Sequence, residues 1–163
     1  MPRRQLAVGV MARLVDSAEF ERVLHSASRA KTPHFAVHHL PAPLGASAPA
    51  RSQPPKRELS TMDAHRSARA VDDSPPPDRE RRLGAVVPKR HARRAVTRSL
   101  LKRQIYAAGD RHVASLALGL WIVRLRAPFD RAAFPSAASM ALRTAARTEL
   151  ESLFRAAARP QAS

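Results

Sequence analysis

A proline-rich stretch splits this chain in two. Between Pro41 and Leu83 lie eight of the 14 prolines, including Pro54-Pro55 and Pro75-Pro76-Pro77, set among Ser, Ala and mixed charges. A segment with so little to bury cannot offset the entropy lost on ordering, so residues 41–81 read as a disordered insertion. The folded part must then come from about 10–40 and 82–158, as a single domain of the 163-residue chain in which the insertion joins two strands.

That core is small. Of the residues usually counted as hydrophobic, 32 are alanine and only 40 carry larger apolar side chains, which excludes large enzyme architectures such as a (β/α)₈ barrel. The chain has no Cys, so a disulfide framework and a thiolate zinc site are both excluded, and a cytoplasmic location is the expectation. Arg3 and Arg4 precede an apolar stretch from Leu6 to Ala12, but Arg13 and Asp16 cut it short of a secretory pattern. The longest later apolar run, Val113 to Val123, has 11 residues, against about 20 for a spanning helix, so no membrane span is expected.

Charge points to the partner. Against 13 acidic residues stand 29 basic ones, 25 of them arginine, the side chain suited to bidentate phosphate recognition and to stacking on bases. The excess is concentrated: residues 84–126 carry ten basic residues and the single acid Asp110. Within them Lys89, Arg90, Arg93, Arg94, Arg98, Lys102 and Arg103 are interleaved with Ala, Val and Leu at helical spacing, which describes a basic surface on a folded scaffold rather than a loose basic arm. A polyanion is the partner such a surface fits.

The element order follows from caps and periodicity. Asp16 or Ser17 caps a helix starting at Ala18, with Phe20, Val23 and Leu24 on its apolar side and an end near Ser28. His34 to Leu40 and Leu83 to Val87 read as strands, each stopped by a proline. From Ala92 to Ala108 a helix places Thr97, Leu101, Ile105 and Ala108 against a sheet and leaves Arg98, Lys102 and Tyr106, with Ser99 and Arg103 beside them, on one exposed face. Gly109-Asp110 stops that helix, His112 to Arg124 reads as a buried strand with helix as the competing reading, and Ala137 to Ala158 reads as a final helix. The result is an α+β fold, a small α/β sandwich of order α-β-β-α-β(β)-α with helices against one mixed sheet.

The segment Arg82-Leu-Gly-Ala-Val-Val-Pro-Lys-Arg-His-Ala-Arg-Arg-Ala-Val-Thr-Arg-Ser-Leu-Leu-Lys-Arg-Gln-Ile-Tyr106 resembles the signature of the protein subunit of bacterial ribonuclease P. Upstream, Ser17 to Leu24 and His34 to His38 are similar to that family's first helix and first strand, and the resemblance covers all but the insertion and the two ends. It implies a ribosomal protein S5 domain 2-like sandwich with a left-handed β-α-β crossover, against the usual right-handed rule. It also implies a role as the protein component of an endoribonuclease whose catalytic RNA performs the hydrolysis. Mg²⁺, held mainly by RNA, assists removal of the 5′ leader from precursor tRNA. The partners implied are the catalytic RNA, with one protein per RNA, and precursor tRNA.

Carried over position by position, the resemblance assigns RNA binding to Lys89, Arg90, Arg93, Arg94, Arg98, Ser99, Lys102 and Arg103, and the leader cleft to Phe20 and His38. The family's Arg-Asn-Arg motif stands here as Arg98, Ser99 and Leu100, a later helix Arg is Tyr106, and its strand aromatic is His38, a weaker stacking partner than Tyr. Phe35, one residue out of phase with the cleft face, is expected in the core. Seven histidines lack the Cys or clustered carboxylates of a metal site, and no nucleophile, base and acid are arranged for catalysis, so neither a metal ligand nor a catalytic side chain is assigned. The rival reading is a structural RNA-binding protein of the ribosomal-protein type, and the feature separating the two is a leader cleft beside the basic helix. A DNA-binding regulator ranks last, for want of a second helix to build a helix-turn-helix.

Overall fold

The structure, a computed structural model, describes residues 11–41 and 81–160. The proline-rich insertion therefore lies outside the described residues. Five strands and three helices follow in the order β1 (Ala12–Arg13), α1 (Ser17–His25), β2 (Ser28–Lys31), β3 (Phe35–Pro41), β4 (Arg81–Val86), α2 (Ala95–His112), β5 (Gly119–Leu125) and α3 (Met140–Ala158). They build one mixed sheet of order β1-β4-β5-β3-β2, in which β4 runs parallel to β1 and β5 while β3 is antiparallel to β5 and β2. The strands on either side of the insertion run further toward it than expected, one residue past Leu40 to Pro41 and from Arg81, two residues before Leu83, and both pair with β5.

Strand alternation divides the sheet into two faces. Phe35 and Val37 of β3, Leu83 of β4, and Trp121, Val123 and Leu125 of β5 pack against Leu101, Ile105 and Ala108 of α2 and Leu150, Leu153 and Phe154 of α3. On the opposite face Leu14, Val23 and Ile122 form a smaller cluster joined by the half-buried Phe20, Leu24, Leu40, Val86 and Leu120. A nine-residue α1, about 13 Å long, covers only part of that second face.

Local chemistry explains the boundaries. The Asp16 carboxylate accepts hydrogen bonds from the backbone N–H groups of Ala18 (2.8 Å) and Glu19 (3.3 Å), which fixes the start of α1 as the sequence indicates. The helix ends three residues before the expected Ser28, because Ser28–Lys31 pairs with β3 as an edge strand. The Ser139 hydroxyl caps Leu142 N–H at 3.1 Å, so α3 starts at Met140 rather than Ala137.

The largest departure is at Gly109-Asp110, which does not stop α2. The helix continues to His112, passes through a 3₁₀ turn at Val113–Ser115, and the strand expected from His112 begins only at Gly119. Gly109 is buried at the closest approach of α2 to the sheet, where a Cβ would run into the side chain of Leu83. The neighbouring Asp110 carboxylate accepts a hydrogen bond from Met11 N–H at 2.9 Å and so anchors the N-terminal strand rather than a turn. This glycine serves close packing, not a left-handed cap.

Candidate nucleic-acid interface

The basic segment begins where β4 leaves the sheet. Pro88 starts a tight turn in which His91 and Ala92 N–H both bond the Pro88 carbonyl, at 3.0 and 3.1 Å, and Ala92 is buried beneath it. Lys89, Arg90, Arg93 and Arg94 are exposed on this turn and at the entry to α2. Arg94 is the N-cap of α2 but gives no side-chain hydrogen bond to it, and the first helical turn holds no acid, so the positive end of the helix adds to the positive side chains. Further along α2, Ser99, Lys102 and Arg103 are exposed as well.

Arg98 behaves differently from the expected open face. It is half-buried, and its Nη1 donates to the carbonyls of Ala92 (3.0 Å) and Arg93 (2.7 Å). The turn before α2 leaves these two carbonyls without backbone partners, and a guanidinium placed one turn into the helix supplies the donors. Arg98 therefore shapes the loop that presents Arg93 and Arg94. Tyr106 is likewise half-buried against the core, with the guanidinium of Arg13 over its ring at 4.3 Å, so a cation from β1 stands at that end of the helix.

Compensation is missing on this surface. Among the described residues the carboxylates pair elsewhere: Glu19 with Arg82 at 3.6 Å, Glu149 with His34 at 2.8 Å, and Glu151 with Arg111 and His112 at 2.5 and 2.6 Å. Burial works against the charge on Glu151, but the hydrogen bonds from His112 and Arg111 outweigh it and hold that carboxyl below its ordinary range. None of these acids reaches Lys89, Arg90, Arg93, Arg94, Lys102 or Arg103.

The second part of the site lies on the sheet face under α1. Gly84 of β4, Ile122 of β5 and His38 of β3 are aligned across three neighbouring strands on this face. The ring of Phe20 rests on Gly84 so closely that a Cβ there would stand 2.5 Å from Phe20 Cζ. With strands about 4.8 Å apart, Phe20 and His38 sit roughly 10 Å from each other across the sheet. His38 Nδ1 lies 2.9 Å from the Ser26 carbonyl and donates to it, which fixes the ring. Phe35 is fully buried on the opposite face, as expected.

Two arginines not assigned from sequence belong to the surroundings. Arg124, half-buried, pairs in register with Val86 on the cleft side, next to the turn that carries Lys89; its alternation with Ile122 is the signal that could have found it. Arg131, on the link between β5 and α3, faces the Arg90–Arg94 turn across a cavity. The expected site residues thus fall into two groups, the basic turn with α2 and the sheet face that carries Phe20 and His38, and β4 joins them, with Gly84 in one and Lys89 five residues on. Among the described residues no group of three or more His, Asp or Glu side chains is gathered as a metal site. No helix among them is long and apolar enough to cross a membrane.

A family model described as Ribonuclease P matches residues 10–149. The chain is 42% identical over 94 residues to the ribonuclease P protein component of Burkholderia pseudomallei (strain 1106a), covering 58% of this chain and 69% of that protein. It is 40% identical over 96 residues to the same component of Paraburkholderia xenovorans (strain LB400), covering 58% and 68%. A solved structure of the Staphylococcus aureus RNase P protein is similar in fold, with a TM-score of 0.51 at 18% identity over 88% of this chain and 92% of that one.

Proposed function

The chain belongs to the family of ribonuclease P protein components, and from that membership we propose that it works as the protein subunit of a ribonucleoprotein that removes 5′ leaders from precursor tRNA. In this reading Lys89, Arg90, Arg93, Arg94, Lys102 and Arg103 bind the phosphates of the catalytic RNA, with Ser99 among them and Arg98 holding their loop. The cleft between α1 and the sheet carries the single-stranded leader, with Phe20 and His38 offering ring faces about two strands apart. RNA performs the cleavage, one protein serves one RNA, and the assembly is cytoplasmic.

The observation that supports this most is that β4, which carries Gly84 beneath the ring of Phe20 and lies on the sheet face shared with His38, leads directly into the uncompensated basic turn. A ligand crossing both must offer phosphates at one end and unstacked bases at the other, which is the chemistry of a structured RNA continued by a single strand. Contacts to phosphates and to ring faces carry little sequence information, and that suits an enzyme whose substrates differ in leader sequence. The described residues offer no carboxylate cage for Mg²⁺, so we assign the ion to RNA phosphates, where it would supply Lewis-acid chemistry. The protein's part is to neutralise phosphates and position the leader.

The test is cleavage of a 5′-extended precursor tRNA by the catalytic RNA at low Mg²⁺, with and without the full chain, and with the chain alone. Stimulation that requires both RNA and protein is the expected result. Tight binding of the RNA without stimulated cleavage would favour the structural RNA-binding reading instead.

A further inference from the structure

A cavity of about 340 Å³ opens between the basic turn and the link that leads from β5 to α3. Its rim carries four arginines, Arg90, Arg93 and Arg94 from one side and Arg131 from the other, and no acidic side chain lines it. Its wall is apolar and held in place: Phe129 stacks on His34 at 4.0 Å and meets Phe134 edge-on at 5.7 Å. The Thr97 hydroxyl ties α2 to the far side through the Ala137 carbonyl at 2.7 Å. Arg131 is exposed and has no hydrogen-bond or ion-pair partner among the described residues.

We propose that this cavity takes one nucleotide of the bound RNA, its base against the Phe129–Phe134 wall and its phosphate on the guanidinium groups of Arg90, Arg93, Arg94 and Arg131. The volume lies within the range of small-ligand sites. A bare phosphate would use the rim and leave the aromatic wall unmatched, and an apolar ligand would strand four cations. A nucleotide satisfies both, because each base has a face that stacks on aromatic rings while its phosphate takes guanidinium forks. Three of the four arginines stand on the turn that meets the catalytic RNA in the proposed function, so the inference rests on that reading. It adds a site where an unpaired residue of that RNA is drawn out of the surface and held.

The test uses the full chain in two arms. First, AMP, adenosine and inorganic phosphate are titrated separately by calorimetry; AMP should bind about tenfold more tightly than either fragment, and Arg131→Gln should remove that advantage. AMP binding no tighter than phosphate would overturn the proposal and leave only an open basic surface. Second, affinity for the catalytic RNA is compared between the unaltered chain, Arg131→Gln and Lys102→Gln, the last lying outside the cavity. A loss of about tenfold in both variants is expected. Loss in Lys102→Gln alone would overturn the nucleotide site while the basic face stood, and no loss in either would overturn the proposed function itself. Because Arg131 is exposed and has no hydrogen-bond or ion-pair partner among the described residues, its replacement should leave folding intact, which the thermal transition of the variant checks.

Discussion

Replacing Gly84 by alanine tests whether Phe20 occupies the seat described above. The new Cβ would lie 2.5 Å from Phe20 Cζ, 2.6 Å from Cε1 and 3.4 Å from Ile122 Cγ1. Carbon atoms rest about 3.5–4.0 Å apart, so the ring must retreat by roughly 1 Å or swing away. The strand cannot yield in its place, since β4 is fixed between β1 and β5. Overpacking of this kind costs about 1–3 kcal/mol, and about 0.5–1 kcal/mol returns because alanine is less entropically costly than glycine in a strand. The net loss is then about 0–2.5 kcal/mol in the unaltered background. With Phe20→Ala already in place the clash is gone, and the same substitution should be neutral or stabilising by up to about 1 kcal/mol. Urea denaturation of the four proteins gives the coupling, expected at about 1–3 kcal/mol. If the leader is bound as proposed, affinity for a precursor with a long leader should fall in Gly84→Ala and fall no further in the double variant. Additive stabilities within about 0.5 kcal/mol, or a single variant more stable than the parent, would refute the contact and with it the assignment of Phe20 to the cleft.

Other perturbations separate the remaining claims. Six exposed, uncompensated cations at Lys89, Arg90, Arg93, Arg94, Lys102 and Arg103 predict a slope of about −4 to −5 for log affinity against log salt, and a slope shallower than about −2 would refute their joint contact with phosphate. Arg98→Ala, which strands the Ala92 and Arg93 carbonyls, should cost about 1–3 kcal/mol in stability as well as RNA affinity, whereas Lys102→Ala should cost affinity alone; equal melting points for the two would show that Arg98 does not hold the loop. Gly109→Ala gains about 1 kcal/mol in helix propensity but meets Leu83 in the core at about 1–3 kcal/mol, so a melting temperature above the parent's would contradict the packing role. Burial first, then the nearby charge of Arg29, lower the His39 pKa below its ordinary 6.5 against the opposing Leu118 hydrogen bond, so the unfolded chain binds the proton more readily. Stability should therefore be full above about pH 6.5 and decline on acidification, with a second decline below about 4.5 as Glu151 is protonated. His39→Gln should flatten the first decline in a denaturation series against pH.

What could be read from the sequence was what neighbouring residues decide. The Asp16 cap and the phase of Phe35 and Val37 against His38 each depend on spacing within one element, and the structure places them accordingly; the interleaved basic run is placed so only in part, since α2 starts at Ala95 rather than Ala92 and Lys89, Arg90, Arg93 and Arg94 precede it. The two strands that were not anticipated lack such a signal. Ala12–Arg13 is two residues long with both side chains exposed, and Ser28–Lys31 is polar, so both exist because β4 and β3 offer edges to pair with. Gly109-Asp110 misled for the converse reason. Its local chemistry matches a helix stop, while its partners, Leu83 and Met11, are distant in the chain. The site shows the same division: the loop arginines are visible as a cluster, but the cavity they form with Arg131 and Phe134 exists only after α2 and the link to α3 are brought together.

The departures from the family motif can be argued in these terms. Leu100 stands where the motif has its second Arg, and here that position is buried in the core shared by α2 and α3. A charge at a site 6% exposed, with no acid beside it, would carry a desolvation cost that a leucine avoids. Tyr106 stands where the motif has a later Arg, yet the guanidinium of Arg13 lies over its ring. The positive charge is thus returned to that end of the helix from another strand. Ser99 remains exposed beside Lys102 and Arg103 and keeps a hydroxyl that can bond a phosphate oxygen in place of an amide. The proposed recognition surface would therefore extend beyond α2, with Arg13 and Arg131 standing at opposite ends of the helix. Restoring the motif by Leu100→Arg should consequently destabilise the protein without raising RNA affinity, while Arg13→Ala should lower that affinity and leave the core intact.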